Sequence, residues 1–377
     1  MIYFVNVKNS SDLLAITKKI QTDPRAFAYL EPKSNILHFY GENVDFRAAA
    51  FLKQELLARG GDTIVTKHVI DGKSDFSDVL LMATPSQLKS LLEKLKSMDC
   101  WGLKNLREEL SQAFANLHIN NWNVGDKLKL DSDTKLMAII NLTPDSFHEA
   151  SRVKENEILD TAEKFLQQGA AILDLGAEST RPGFEPIEAD EEINRLIPAL
   201  KILRKNFPDI IISVDTYKSE VASIAIDEGA DVINDISGFE LDKKMPELIS
   251  RLSVPYVLSH YQENHCGNIL SVIIKYFSEK LNFLYELGVK PENLILDPGL
   301  GFGKTPEDNF EILKNLESLK IFGLPILVGH SRKRFTGKNL FATVALSGIL
   351  YGRANILRVH DVGENLKAIE MARNLKY

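Results

Sequence analysis

From residue 136 onward the chain repeats one unit eight times: an apolar run, a polar loop, then an amphipathic stretch. The runs occupy residues 136–141, 171–176, 210–215, 231–235, 255–260, 294–297, 325–329 and 355–360. They are continuous in hydrophobicity rather than alternating, which is the pattern of parallel strands covered on both faces. Between them lie helix-spaced stripes. Ile158, Ala162, Phe165 and Leu166 precede Gly169-Ala170, and Val221, Ala225 and Ile226 precede Gly229-Ala230. Eight strand–helix units in about 240 residues predict an α/β chain closed into a (β/α)8 TIM barrel. An open doubly wound sheet is the competitor. It generally has fewer strands, and no GxGxxG follows the first run.

The preceding residues read as a second, smaller N-terminal α/β domain. Strands are predicted at 2–7, 36–40, 62–69 and 79–82, and helices at about 10–20, 44–59 and 86–98. Residues 120–133 read as a linker or as a hairpin edge, dividing the chain into 1–130 and 131–377. No catalytic cluster stands out before residue 130. A net charge of −7 does not suit a non-specific nucleic-acid binder. No apolar run is long enough for a membrane span. Two cysteines, Cys100 and Cys266, make neither a disulfide framework nor a zinc site. The expectation is a cytoplasmic protein with small-molecule partners, no nucleic acid and no membrane.

In barrels the chemistry sits where strands give way to loops. Here those ends are polar in every unit. They carry Asn141, Glu178 to Arg181, Asp215, Asn234, Ser259-His260, Asp297, Ser331 to Arg334, and Arg358 with His360. The sixth is the most pointed. Strand 294–296 leads to Asp297, then Pro298 and three glycines (Gly299, Gly301, Gly303), then Lys304. Thr305 and Pro306 read as N-cap and first residue of a helix running through Phe310, Leu313, Leu316 and Leu319. Asp215, Asn234, Asp297 and Lys304 offer a mixed donor and acceptor surface suited to a nitrogen heterocycle. Arg332, Lys333, Arg334, Arg358 and His360 form a cationic group suited to an anion, with a helix expected to begin near Ser331.

The chain resembles the dihydropteroate synthases, the folate-pathway enzymes inhibited by sulfonamides. The matching pieces are MAIINLTPDSF (137–147), ILDLGAESTRPG (172–183), ISVDT (212–216), ADVINDISG (230–238), LILDPGLGFGKT (294–305), ILVGHSRKRFTG (326–337) and ILRVHDV (356–362). The resemblance implies condensation of 6-hydroxymethyl-7,8-dihydropterin diphosphate with p-aminobenzoate to give 7,8-dihydropteroate and diphosphate. It implies a pterin held by Asp215, Asn234, Asp297 and Lys304, with Phe302 and Lys333 nearby. It also implies a diphosphate held by Asn141, Arg358 and His360, with Mg²⁺ as cofactor meeting Asn141. Thr180, Arg181 and Pro182 would line the aminobenzoate pocket, and Ser331 would sit near its carboxylate. Asp297, Lys333, Arg358 and His360 are the implied catalytic set, and the implied assembly is a homodimer through the last helices.

The chain departs from the family pattern at several points. The first loop reads TPDSFHEASRV without a glycine pair, His330 stands at a position usually apolar or small, and Arg334 at one usually Ser or Thr. A non-catalytic pterin-binding paralogue and a methyltetrahydrofolate-type methyltransferase are the alternatives.

Overall fold

The structure is a computed structural model that describes residues 10–142, 152–178, 186–262 and 266–375. The chain divides into two compact units, Met1–Leu117 and His118–Lys376. In the first, strands β1 (Leu37–Asp45), β2 (Asp62–Val65) and β3 (Phe76–Ala83) form an antiparallel sheet in the order β1-β3-β2. Helices Phe46–Ala58, Pro85–Leu95 and Leu103–Asn116 supply Leu52, Leu56, Leu88, Leu91 and Leu110 to a core with Val79 and Leu81. The second of these helices begins with a Thr84–Gln87 capping box. The expected strand at 62–69 stops at Val65, and Lys67–Val69 is a 3-10 turn. The helix Leu103–Asn116 was not among the sequence expectations, and the expected strand at 2–7 lies outside the described residues.

The second unit starts with a hairpin, β4 (Trp122–Val124) and β5 (Leu128–Leu130). Eight parallel strands follow: β6 (Lys135–Asn141), β7 (Ala170–Gly176), β8 (Ile211–Asp215), β9 (Val232–Asp235), β10 (Tyr256–Ser259), β11 (Leu294–Asp297), β12 (Leu327–Val328) and β13 (Ile356–Val359). Their order is β11-β10-β9-β8-β7-β6-β13-β12, and a Leu296–Ile326 bridge joins the two ends. Each strand is followed by a helix, the first Arg152–Gln167 and the last Val362–Leu375. The sheet is the expected TIM barrel. Pro198 lies inside the continuous helix Ala189–Asn206, whose Leu196, Ala199, Leu200 and Leu203 are buried, so packing carries the helix past it.

Alternation along each strand sorts residues into two cores. Leu173, Leu175, Ile212, Val214 and Leu258 pack outward against the helices. Met137, Ile172, Val232, Val257, Ile295 and Leu327 fill the interior at the N-terminal end, where Val124, Leu128 and Leu130 of the hairpin join them. The hairpin therefore plugs the bottom of the barrel. Its turn residue Gly125 has φ +57, and a Cβ there would lie 2.5 Å from Pro255 Cγ. Residues 118–130 thus go with the barrel, because their apolar side chains are part of its interior.

Candidate active site

Above the apolar plug the interior turns polar. The register sets Asn141 beside Gly176, Gly176 beside Asp215, and Asp215 beside Asn234. Ser259 pairs with Asp297 on the other side. Asp174, Asp215, Asn234 and Asp297 are all buried. Arg358, reaching in from β13, donates from Nε to Asp174 and from Nη2 to Asp215. Asp174 also accepts from Asn234 Nδ2, 3.3 Å from its nearer oxygen. A carboxylate offers only acceptors, so this contact orients the amide with its nitrogen toward Asp174. Asp215 Oδ1 and Asn234 Oδ1 are left buried with no hydrogen-bond partner among the described residues. Two orphaned acceptors at one strand-end level ask for a ligand carrying N–H donors. Burial lifts the Asp215 carboxyl above its usual range; Arg358 counters this, but Asp174 shares the same guanidinium and repels.

Asp297 ends β11, and its Oδ1 accepts the Gly299 N–H at 2.8 Å. Burial raises its pKa, while that N–H and the charges of Lys333, Arg358 and Lys304 pull it down. Gly299 has φ +65, and a Cβ there would fall 2.0 Å from His260 O, so no other residue fits. The Lys304 ammonium reaches Gly299 O at 2.8 Å, Phe302 O at 3.1 Å and His260 O at 3.3 Å. It braces the loop, and burial pushes it down to about 7. The Lys333 ammonium stands 4.6 Å from the Phe302 ring centroid. Burial pushes Lys333 down to about 8, against the pull of Asp297. Thr305 caps helix Pro306–Lys314 in a box with Asp308, as expected. The helix stops at Lys314, however, and Leu316–Phe322 is a separate 3-10 segment; Leu313, Leu316 and Leu319 are buried and Phe310 is exposed.

Ser331 Oγ lies 3.0 Å from His360 Nδ1 and accepts the His360 N–H at 3.2 Å, tying the ends of β12 and β13 together. No helix begins at Ser331. Arg332 adopts φ +55, Arg334–Thr336 is a single 3-10 turn, and the next helix is Leu340–Leu350. The expected helix terminus is therefore absent at that point, and side chains must supply the positive field. Asn141 is exposed at the end of β6. Across Gly176, a Cβ would lie 3.8 Å from Asp215 Oδ2 and 4.0 Å from Asn141 Oδ1. Thr180, Arg181 and Pro182 lie outside the described residues. The structure adds Asp174, which sequence reasoning missed. It sits two positions before Gly176 on the same strand, so the alternation places it in the interior. Among the described residues no cluster of His, Cys, Asp and Glu has the makings of a metal site.

The family model for pterin binding enzymes matches residues 137–360. A dihydropteroate synthase of Clostridium beijerinckii is 40% identical over 262 residues, 66% of this chain and 95% of that protein. A probable bifunctional folylpolyglutamate synthase/dihydropteroate synthase of Haloferax volcanii is 34% identical over 361 residues, 87% of this chain but only 42% of that protein. The solved Xanthomonas albilineans dihydropteroate synthase with 4-aminobenzoic acid superposes with a TM-score of 0.62 at 31% identity, covering 68% of this chain and 98% of that one.

Proposed function

The chain belongs to the pterin-binding enzyme family, closely related to the dihydropteroate synthases, and we infer that it joins 6-hydroxymethyl-7,8-dihydropterin diphosphate to p-aminobenzoate, releasing diphosphate and 7,8-dihydropteroate. The observation that carries this reading is the pair of orphaned acceptors, Asp215 Oδ1 and Asn234 Oδ1, on a floor completed by Asp297. A pterin edge presents ring N–H and amino donors to such a floor. The floor's negative charge also favours a cation on the ring. As the C–O bond breaks, diphosphate leaves with the electron pair, and positive charge develops on the exocyclic methylene conjugated to the dihydropterin. Asp297 and Asp215 stabilise that charge electrostatically. The aniline nitrogen of p-aminobenzoate forms the new C–N bond and then loses a proton. A neutral aniline suffices as nucleophile, so no strong general base is needed.

His360 and Ser331, bonded to each other at the ends of β12 and β13, are assigned to the anionic groups. Arg358 reaches them only by sharing its guanidinium with the two carboxylates it already pairs with. Lys333, above Phe302, is assigned to the aminobenzoate carboxylate or the ring. Asn141 offers a single neutral oxygen, which fits a Mg²⁺ ion carried chiefly by diphosphate and water rather than caged by protein. When bound, such an ion would neutralise charge on the leaving group. Thr180, Arg181 and Pro182 are assigned to the aminobenzoate pocket on family resemblance. A homodimer is supported by exposed Phe341, Ile349, Met371 and Leu375 on the last two helices. Among the described residues no helix is long and apolar enough to cross a membrane. Unpaired Cys100 and Cys266 support a cytoplasmic location.

Calorimetric titration with the pterin diphosphate tests the floor. Wild-type protein is expected to bind it, and Asn234→Ala to bind at least about tenfold more weakly, as loss of a buried hydrogen bond to a ligand predicts. A wild-type protein that does not bind the pterin diphosphate would end this reading.

A further inference from the structure

Behind the end of β12 lies a buried polar assembly that the reaction chemistry leaves unused. His330, Thr343, Ser347 and Asn365 are each fully buried. His330 Nε2 is 2.8 Å from Ser347 Oγ and 3.2 Å from Thr343 O. A carbonyl can only accept, so Nε2 carries the proton and the imidazole donates. Ser347 then donates to Asn365 Oδ1 at 2.6 Å, and Asn365 Nδ2 donates to Asp361 O at 2.6 Å. A second tie runs alongside. The Arg332 N–H donates to Thr343 Oγ1 at 3.2 Å, and the Arg332 guanidinium pairs with the Asp361 carboxylate.

These bonds converge on one short segment. Within it Arg332 holds φ +55, a left-handed conformation uncommon for a residue with a side chain. On either side of Arg332 stand Ser331, bonded to His360, and Lys333, above Phe302. A dry apolar contact would have sufficed merely to fill the space behind the strand. The directed chain instead fixes the peptide that presents both groups. Burial pushes the His330 imidazole down to about 4, so it is a neutral donor across the physiological range.

We propose that His330, acting through Ser347 and Asn365, is a positioning residue that holds 330–333 so that Ser331 and Lys333 meet the anionic aromatic substrate. The proposal rests on the synthase reading above and names the substrate it concerns, p-aminobenzoate. His330 touches no reacting atom. Its loss is felt as a misplaced Lys333 and Ser331, hence in KM for the aminobenzoate before kcat.

The test is steady-state kinetics of wild type, His330→Leu, His330→Gln and Ser347→Ala, with thermal melting of each. His330→Leu is expected to raise the aminobenzoate KM about tenfold and leave kcat within about threefold, as a small misplacement of a binding group does. His330→Gln, which keeps an N–H donor at similar reach, is expected to recover most of the loss. Ser347→Ala, which breaks the same chain in another element, is expected to give the same split and carries the test if His330→Leu does not fold. An unchanged KM in a folded variant, or a Gln variant as poor as the Leu variant, would overturn the proposal. So would a fall in kcat that tracks melting temperature with no change in KM. A wild-type protein that makes no dihydropteroate would instead overturn the synthase reading, and this proposal with it.

Discussion

Asp174 sets two residues of the proposed site. It takes the Asn234 amide nitrogen and one arm of the Arg358 guanidinium, which leaves Asn234 Oδ1 open and holds Arg358 across to Asp215. Asp174→Asn keeps the shape but removes the charge and lets the Asn234 amide turn over. The expected result is a folded protein whose pterin diphosphate affinity falls at least about tenfold, measured by calorimetry, since hydrogen bonds to charged groups are worth about 1.5–3 kcal/mol. Lys333 gives a pH prediction. Burial depresses it to about 8, so it is charged below that value and neutral above it. The aminobenzoate carboxylate stays anionic throughout. Its KM should therefore be flat on the acid side and rise as pH climbs through about 8. Lys333→Arg, which stays charged, should remove the rise. A KM that stays flat in wild type would show that Lys333 does not meet the carboxylate.

The barrel's interior is apolar at the N-terminal end of the strands and polar where they give way to the loops. Leu128 belongs to the hairpin plug at the bottom, far along the barrel from the strand ends. Leu128→Ala should lower stability by about 2–5 kcal/mol in denaturant melts, as cavities in packed cores do, while leaving both KM values unchanged. The strands were legible because burial on both faces makes them continuous apolar runs. Asp215, Asn234 and Asp297 were legible because polar side chains that close one apolar run after another must gather at the same mouth of the barrel, and Lys304 because a glycine loop ties it to Asp297. Asp174 was not, because a charge inside a run reads as a flaw until the partner from β13, distant in sequence, is known. The helix expected at Ser331 misread a run of charges as a helix start, since the left-handed Arg332 depends on Thr343 and Asp361, which no local pattern announces. The hairpin at 122–130 was ambiguous for a similar reason: its three buried residues have partners only in the closed barrel.

The whole molecule contains two separately cored units, and every residue assigned to the reaction lies in the second. Residues 118–377 alone should therefore fold with a cooperative melt and keep both KM values within about threefold of the full chain. The likeness to the Haloferax volcanii protein runs over 87% of this chain, more than the barrel unit alone makes up. The first loop, whose departures from the family pattern lie outside the described residues, leaves the floor residues unchanged, so turnover is the decisive quantity. It is measured most directly by following diphosphate and dihydropteroate together in one sample of the full chain with pterin diphosphate, Mg²⁺ and p-aminobenzoate. The account predicts that the two products appear one for one and that neither appears without p-aminobenzoate. Tight pterin diphosphate binding with neither product, or diphosphate release indifferent to p-aminobenzoate, would contradict it.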